Sequence, residues 1–335
     1  MKAYALFPEE GLSALKLGDQ PTPELGPNDV RVRVRAVSLN YRDLAVAKGS
    51  KRLKKPLVPT SDGAGEVIAV GPKVTKLAVG DRVAAAFFPT WQGGPLSDEI
   101  HANALGGSID GMLAEEVVLP ETSWVKLPAS LTFEQAATLP CAGVTAYSAL
   151  FEAATLRPGD SILVQGTGGV SIFALQLARA AGAEVIATSS SPEKRERVRA
   201  MGARTAIDYR EVPKWGTAVR EATGGRGVDI AVEVGGAGTF DESVAALRYG
   251  GTMSLLGILA GTQGPINTYQ VFHKNIRVHG VYVGSVRMFH DLLRALEATK
   301  IEPVIDRVFS FDEARAAYEY LASGKHFGKV VVRVG

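Results

Sequence analysis

The run Ser161-Ile162-Leu163-Val164-Gln165 leads directly into Gly166-Thr167-Gly168-Gly169 and then into a helix-forming stretch that continues to Ala181. A short apolar run ended by a glycine turn reads as a buried strand. Gly-x-Gly between a strand and a helix sets backbone N–H groups at the helix N-terminus, where a pyrophosphate can meet them. Gly166 permits the tight turn and Gly168 the close approach of backbone to phosphate. Ser171, at the third motif position, is small enough to keep helix and sheet close. A glycine-rich turn without a ligand is the competing reading of the same residues. The chain beyond Ala181 repeats the pattern: a strand at Glu184–Thr188, a helix over 192–201, strands at Val228–Glu233 and 252–256, and an edge strand within 276–283. Alternating strands and helices of this kind predict an α/β fold, a doubly wound parallel sheet of the Rossmann type.

The residues before this region have a different period. Val30-Arg31-Val32-Arg33-Val34-Arg35 alternates apolar with charged side chains, as a strand with one wet face does. Further β-like stretches at 65–71 and 81–85 are separated by Gly and Pro turns, so the first third is mainly β. Residues 88–111, rich in Gly, Pro and Ser, read as a long surface excursion. Ser130 is a candidate N-cap for a helix over 130–137. A helix over 288–299 and a strand over 329–334 return to the first unit. The expected organisation is therefore a split, mostly β domain (1–127 and 284–335) around a nucleotide-binding domain (128–283).

At 335 residues two cores are expected, since single cores stop growing near ~250–300 residues. The 37 Lys and Arg against 35 Asp and Glu leave a net charge of +2, which argues against nucleic acid or an anionic membrane and for a small-molecule substrate. The single cysteine, Cys141, excludes an internal disulfide or a multi-thiolate metal site, and a reducing, cytoplasmic setting fits it. Apolar runs fall short of the ~18 residues of a membrane helix, and residues 1–6 read as a strand, not a signal peptide.

NAD-preferring turns carry an acidic residue about 20 positions past the first glycine, where it binds the adenosine ribose. Here that region is Thr188-Ser189-Ser190-Ser191, followed by Lys194, Arg195 and Arg197 on the next helix. Hydroxyls and a cation suit a 2′-phosphate, with Lys194 the candidate and Arg195 and Arg197 read as a solvated face.

The segments Val37-Ser38-Leu39-Asn40-Tyr41-Arg42-Asp43, Asp62-Gly63-Ala64-Gly65-Glu66-Val67, Val79-Gly80-Asp81-Arg82-Val83, Leu139-Pro140-Cys141-Ala142-Gly143-Val144-Thr145-Ala146-Tyr147 and Gly328-Lys329-Val330-Val331, with the glycine turn, carry a resemblance. The chain resembles the medium-chain dehydrogenase/reductase superfamily, in its zinc-free quinone oxidoreductase-like branch, over essentially its whole length. The resemblance implies a GroES-like catalytic domain beside the Rossmann domain, and NADPH as cofactor. It places Thr145 beside the nicotinamide, Ser189 where NAD-using relatives have Asp, and Lys329 where a basic residue meets the pyrophosphate. Lys194 and Tyr209 match a Lys and Tyr that hold the 2′-phosphate, although packing at a strand end explains Tyr209 equally. Thr167, Gly169, Val170, Ser190 and Gly257 complete the expected cofactor contacts. Against the zinc alcohol dehydrogenases, Asn40 occupies the first cysteine position and Ser61 the histidine position. Cys141 alone remains of the three ligands, and 88–111 lacks the four structural-zinc cysteines, so no metal is expected.

Without a Lewis acid, hydride delivery to an electrophilic quinone or α,β-unsaturated carbonyl is the best-supported chemistry. The expected parts are Asn40 as donor to the acceptor oxygen and Tyr41 or water as proton source. Tyr41 packed beside the cleft without a chemical role is the alternative. Arg42, Asp43 and Asp62 read as a supporting polar network, and Phe88, Trp91, Tyr282 and Arg287 as pocket-rim candidates. Two other functions stay open: a metal-free NADP-dependent alcohol or aldehyde dehydrogenase, and a non-catalytic NADPH binder such as crystallin-like or RNA-binding relatives. The apolar edge within 276–283, which relatives pair across a dimer, predicts a homodimer.

Overall fold

A computed structural model of the chain describes residues 1–9 and 11–335. In chain order its strands are β1 (Lys2–Leu6), β2 (Leu15–Asp19), β3 (Asp29–Leu39), β4 (Asp62–Val70), β5 (Arg82–Ala85), β6 (Glu116–Pro120) and β7 (Trp124–Lys126). Next come β8 (Ser161–Gln165), β9 (Glu184–Thr188), β10 (Thr205–Ile207), β11 (Val228–Glu233), β12 (Leu247–Leu255) and β13 (Arg277–Gly280), and then β14 (Ile305–Ser310) and β15 (Lys329–Arg333). Two compact units result, Met1–Val144 with Gly284–Gly335, and Thr145–Val283. The chain passes between these units at 144/145 and at 283/284, where the expected division has 127/128 and 283/284. The short helix Phe133–Ala137 packs on β3, β4 and β15, which assigns it to the first unit.

In that first unit β14, β15, β3, β4, β5 and β7 lie side by side, with β6 also paired to β3 and β1–β2 forming a separate ribbon. The alternation in β3 is the one the sequence predicts as far as Arg35: Val30, Val32 and Val34 are buried, and the arginines between them reach solvent. From Ala36 to Leu39 every residue is buried, because β15 and β4 flank this end and the helix Phe133–Ala137 covers it. The valines join Val67, Val330, Val332, Met112 and Tyr318 in one apolar core, each contributing roughly 1.5–3 kcal/mol of burial. Thr132, not Ser130, caps that helix: its side chain accepts from the Gln135 N–H while Gln135 Oε1 accepts from the Thr132 N–H. This reciprocal pair satisfies two free donors and outweighs the earlier serine.

Residues 88–111 are not the simple surface excursion expected. Phe88, Trp91 and Leu105 are buried, with Phe88 and Trp91 in an edge-to-face pair, and the longest exposed stretch is in the middle, around a short helix at Asp98–His101. Phe88 and Trp91 are thus core residues of the first unit, and Trp91 Nε1 is spent on the Gly94 carbonyl.

The second unit is a six-stranded parallel sheet in the order β10-β9-β8-β11-β12-β13. Its two halves wind outward from the junction of β8 and β11, where open α/β sheets bind ligands outside the carboxyl ends of the strands. Strands β8 and β11 are buried throughout, as strands covered on both faces must be. By contrast, β13 ends the sheet with all four residues exposed.

Candidate active site

In the first unit, strand register assembles a polar cluster inside an apolar wall. Antiparallel pairing sets Val330 of β15 opposite Leu39, and Ser38 opposite Asp62 of β4, so Lys329, Asn40 and Asp62 meet at one end of the sheet. Asn40 opens the helix Tyr41–Lys48, but its side chain does not cap it. Asp43 does, accepting from the Asn40 N–H at 2.7 Å. The Asn40 side chain instead accepts through Oδ1 from Lys329 Nζ at 2.5 Å, and the same ammonium donates to the Leu39 carbonyl at 2.7 Å. A lysine can only donate, so it fixes which end of the amide faces it. Asn40 Nδ2 is buried beside the Asp62 carboxylate, whose charged form it favours, but it makes no well-formed hydrogen bond among the described residues. A buried amide donor in that state costs ~1–3 kcal/mol, which a ligand oxygen would recover.

Asp62 accepts from Ser61 Oγ at 2.6 Å and from the Cys141 N–H at 3.1 Å. Arg42 donates to the Leu105 carbonyl at 2.8 Å, lies beside Asp43 at 3.4 Å and stacks over Phe87. Asp43, Asp62 and Lys329 are fully desolvated, and in each the effect of burial is opposed by charged neighbours. Burial raises Asp43 to about 6, opposed by Arg42. Burial also raises Asp62, opposed chiefly by Lys329, and lowers Lys329, opposed chiefly by Asp62. Desolvation and the nearby Asp62 carboxylate push the Cys141 thiol up, which keeps it protonated. Tyr41, on the first turn of the helix, is exposed. Lys329, expected at the pyrophosphate, donates from its ammonium to the Leu39 carbonyl and to Asn40 Oδ1, which orients the amide.

The second unit carries the nucleotide half. Gly166 holds φ +67°, the left-handed region that only glycine enters freely, and its N–H donates to the Thr188 carbonyl. Gly168 has an ordinary φ of −76°, and a Cβ added there would meet nothing within 4 Å. No protein contact therefore requires that glycine. What it leaves is open room over the first amides of the helix Gly169–Ala180, a cradle that fits a pyrophosphate. Thr167 is buried, Gly169 and Val170 open the helix, and Thr145 is buried at the start of the unit. Ser171 Oγ donates to the Gln165 carbonyl at 2.6 Å, tying the helix to the end of β8.

At the end of β9, Ser189 is buried and Ser190 Oγ accepts from the Tyr209 hydroxyl at 3.2 Å. Ser191 caps the helix Pro192–Ala200 by accepting from the Lys194 N–H, which puts Lys194 in its first turn. Ser189, Ser190, Lys194 and Tyr209 therefore belong to one loop and helix start. Arg195 is not a solvated side chain: it is paired with Asp208 and donates to the Ser189 carbonyl.

Gly257 has a structural reason of its own. A Cβ there would stand 2.0 Å from the Val234 carbonyl oxygen, so the expected cofactor contact is not what requires the glycine. Sequence reasoning misses Glu233, a buried carboxylate at the end of β11. It accepts from the Gly235 and Gly236 N–H groups, Thr239 Oγ1, Ser243 Oγ and Gln165 Nε2, joining the loop after β11 to the residue before the glycine turn. A second acidic residue, closing a buried strand that already holds Asp229, is the signal that could have found it.

Known proteins share both halves of this arrangement. A family model described as "Alcohol dehydrogenase GroES-like domain" matches residues 26–129, and one described as "Zinc-binding dehydrogenase" matches residues 169–298. A zinc-type alcohol dehydrogenase-like protein of Schizosaccharomyces pombe is 43% identical over 97% of this chain and 96% of its own. The chain belongs to the medium-chain dehydrogenase/reductase family. It is an oxidoreductase with a GroES-like domain and a Rossmann-type nucleotide-binding domain. The quinone oxidoreductase of Pseudomonas aeruginosa strain PAO1 is 33% identical over 96% of each chain. A crystal structure of an NAD-dependent alcohol dehydrogenase aligns over all of both chains at 36% identity, with a TM-score of 0.91. Among the described residues no helix is long and apolar enough to cross a membrane.

Zinc gives one of the family models its name, but the residues that the resemblance sets at the ligand positions are an amide, a hydroxyl and a protonated thiol: Asn40, Ser61 and Cys141. An ammonium already holds the amide oxygen. Among the described residues no group of three or more His, Cys, Asp and Glu side chains is placed to hold a metal ion. That donor set does not fit a catalytic zinc.

Proposed function

We propose that this oxidoreductase is a zinc-independent, NADPH-dependent reductase that passes hydride to a quinone or an α,β-unsaturated carbonyl. The reading rests on Asn40, a buried amide whose oxygen is held by Lys329 and whose Nδ2, beside Asp62, makes no well-formed hydrogen bond and keeps an N–H for a ligand oxygen. The reduced nicotinamide, when bound, supplies the hydride. As the acceptor is reduced, negative charge gathers on its oxygen, and Asn40 Nδ2 donates to that oxygen. The Lys329 ammonium on Oδ1 polarises the amide and strengthens the opposite N–H as a donor. The exposed Tyr41 hydroxyl, or water, returns the proton that completes the reduction. Ser190, Tyr209 and Lys194 hold the 2′-phosphate of NADPH, in a loop where β9 ends in hydroxyl side chains and lacks the carboxylate that would repel it.

A homodimer is part of the same proposal. Edge strand β13 is fully exposed and neighbours the exposed Phe272 and Tyr282, a surface suited to pairing with a second copy. Light scattering on purified protein should give twice the 35.4 kDa chain mass, and a monomer would remove this element.

The test of the reaction is oxidation of NADPH by EDTA-treated, metal-analysed protein against a panel of quinones and enones, with NADH as control. Turnover that resists EDTA and prefers NADPH is expected. EDTA-sensitive turnover, or oxidation of alcohols with NAD and no reduction of any acceptor in the panel, would overturn it.

A further inference from the structure

The nucleotide-binding unit contains a second cleft, at the opposite end of its sheet from the glycine turn. Gly166–Gly168 follow the carboxyl end of β8, whereas this cleft of about 220 Å³ is lined by Ile230 and Asp229, early in β11, and by Thr252 of β12 and Arg277 of β13, which pair in register. The turn Ala154–Asp160 closes it with Thr155, Arg157 and Asp160. At this size it suits a compact ligand, being below the ~300 Å³ at which pockets for larger organic ligands begin.

Its charge is positive. Asp229 is saturated: Arg226 binds it through both Nη atoms at 2.6 and 2.9 Å, Arg248 Nε donates at 2.5 Å, and the Ser161 N–H and Oγ complete the shell. Its single charge is thus shared between two guanidinium groups, and it has no capacity left for a cation. Arg157 and Arg277 are exposed, and their guanidinium groups have no hydrogen-bond or ion-pair partner among the described residues. Asp160, the opposing carboxylate, is engaged by the Arg157 N–H.

Two further observations point to a ligand. Thr252 lines the cleft at 1% exposure, and its hydroxyl has no hydrogen-bond partner among the described residues. Buried hydroxyls are normally paired, so this one lacks a partner that a bound group would supply. Thr155 holds φ +56°, a left-handed conformation that β-branched residues avoid and that persists where the surroundings enforce it.

We infer that this cleft is a binding site for a compact, doubly charged oxyanion of the phosphate type, with Arg157, Arg248 and Arg277 as its cations and Thr252 as a hydroxyl contact. Guanidinium groups pair two N–H donors with two oxygens of such an anion, and the threonine hydroxyl gains its missing partner. The site lies apart from the cofactor cradle, so cofactor and anion bind together.

Calorimetric titration of inorganic phosphate into intact protein saturated with its nicotinamide dinucleotide tests this, because the cofactor already fills the other phosphate-binding loop. Saturable binding is expected at constant ionic strength. Arg157→Gln should weaken it about tenfold, the scale of one charge-assisted hydrogen bond. Thr252→Val, nearly isosteric, should weaken it by a smaller factor, and both variants should retain wild-type turnover. Absence of saturable binding, or binding that neither substitution changes, would overturn the assignment.

Discussion

Replacing Lys329 with methionine retains most of the buried stem and removes the ammonium that faces Asp62, Asp43 and Asn40. Two acceptors lose their donor, the Leu39 carbonyl at 2.7 Å and Asn40 Oδ1 at 2.5 Å, and two fully buried carboxylates lose a shared cation. Removing one member of a buried ionic network costs about 3–5 kcal/mol. At roughly 2–4 °C per kcal/mol for a unit of this size, the midpoint at pH 8 should fall by about 6–20 °C. The pH dependence separates this cause from simple mispacking. Asp43 titrates at about 6 in the folded protein, above its ordinary value, so the folded state holds that proton more tightly. Its contribution to stability is full below about pH 4 and is lost as pH rises through 6, by at most roughly 3 kcal/mol. Loss of Lys329 raises both carboxylates further, so the deficit of the variant should shrink as pH falls from 8 towards 5. Thermal melts of both proteins across that range provide the assay. A deficit independent of pH, or no deficit at pH 8, would refute the account of a charge-balanced cluster.

The same geometry makes four further variants or probes informative. Gly257→Ala should destabilise by about 1–3 kcal/mol in denaturant melts, since its Cβ would collide with the Val234 carbonyl. Gly168→Ala, which meets open space, should leave the melt unchanged and raise the KM for the dinucleotide. Lys194→Ala should lower kcat/KM for NADPH about tenfold or more while sparing NADH, the loss of a single charged phosphate contact; equal effects on both cofactors would remove Lys194 from the phosphate site. Cys141, a raised thiol, should resist alkylation in native protein at pH 8 and react on unfolding.

Much of the nucleotide-binding unit is legible in the sequence because it depends on local chemistry. Strands Ser161–Gln165, Glu184–Thr188 and Val228–Glu233 match their apolar runs residue for residue, and the glycine turn falls where a strand meets a helix. Features that depend on distant partners are not legible in this way. The contact of Lys329 with Asn40 is one, because nothing near Lys329 in the sequence shows that β15 pairs with β3, some 290 residues away. The packing reason for a glycine at 257 is another, because the approach of Val234 is tertiary. The boundary at 128 reflects a change of pattern, whereas the helix Phe133–Ala137 goes with the strands it packs on. Phe88 and Trp91 sit in a Gly- and Pro-rich segment, and composition alone hides their burial.

In the proposed reaction the Asn40 amide stabilises charge on the acceptor oxygen. Steady-state kinetics of Asn40→Ala against wild type, with NADPH and the best quinone or enone in the presence of EDTA, test it most directly. Loss of one such donor should lower kcat by about 10²–10³-fold with little change in the KM for NADPH. A kcat within twofold of wild type would contradict the account.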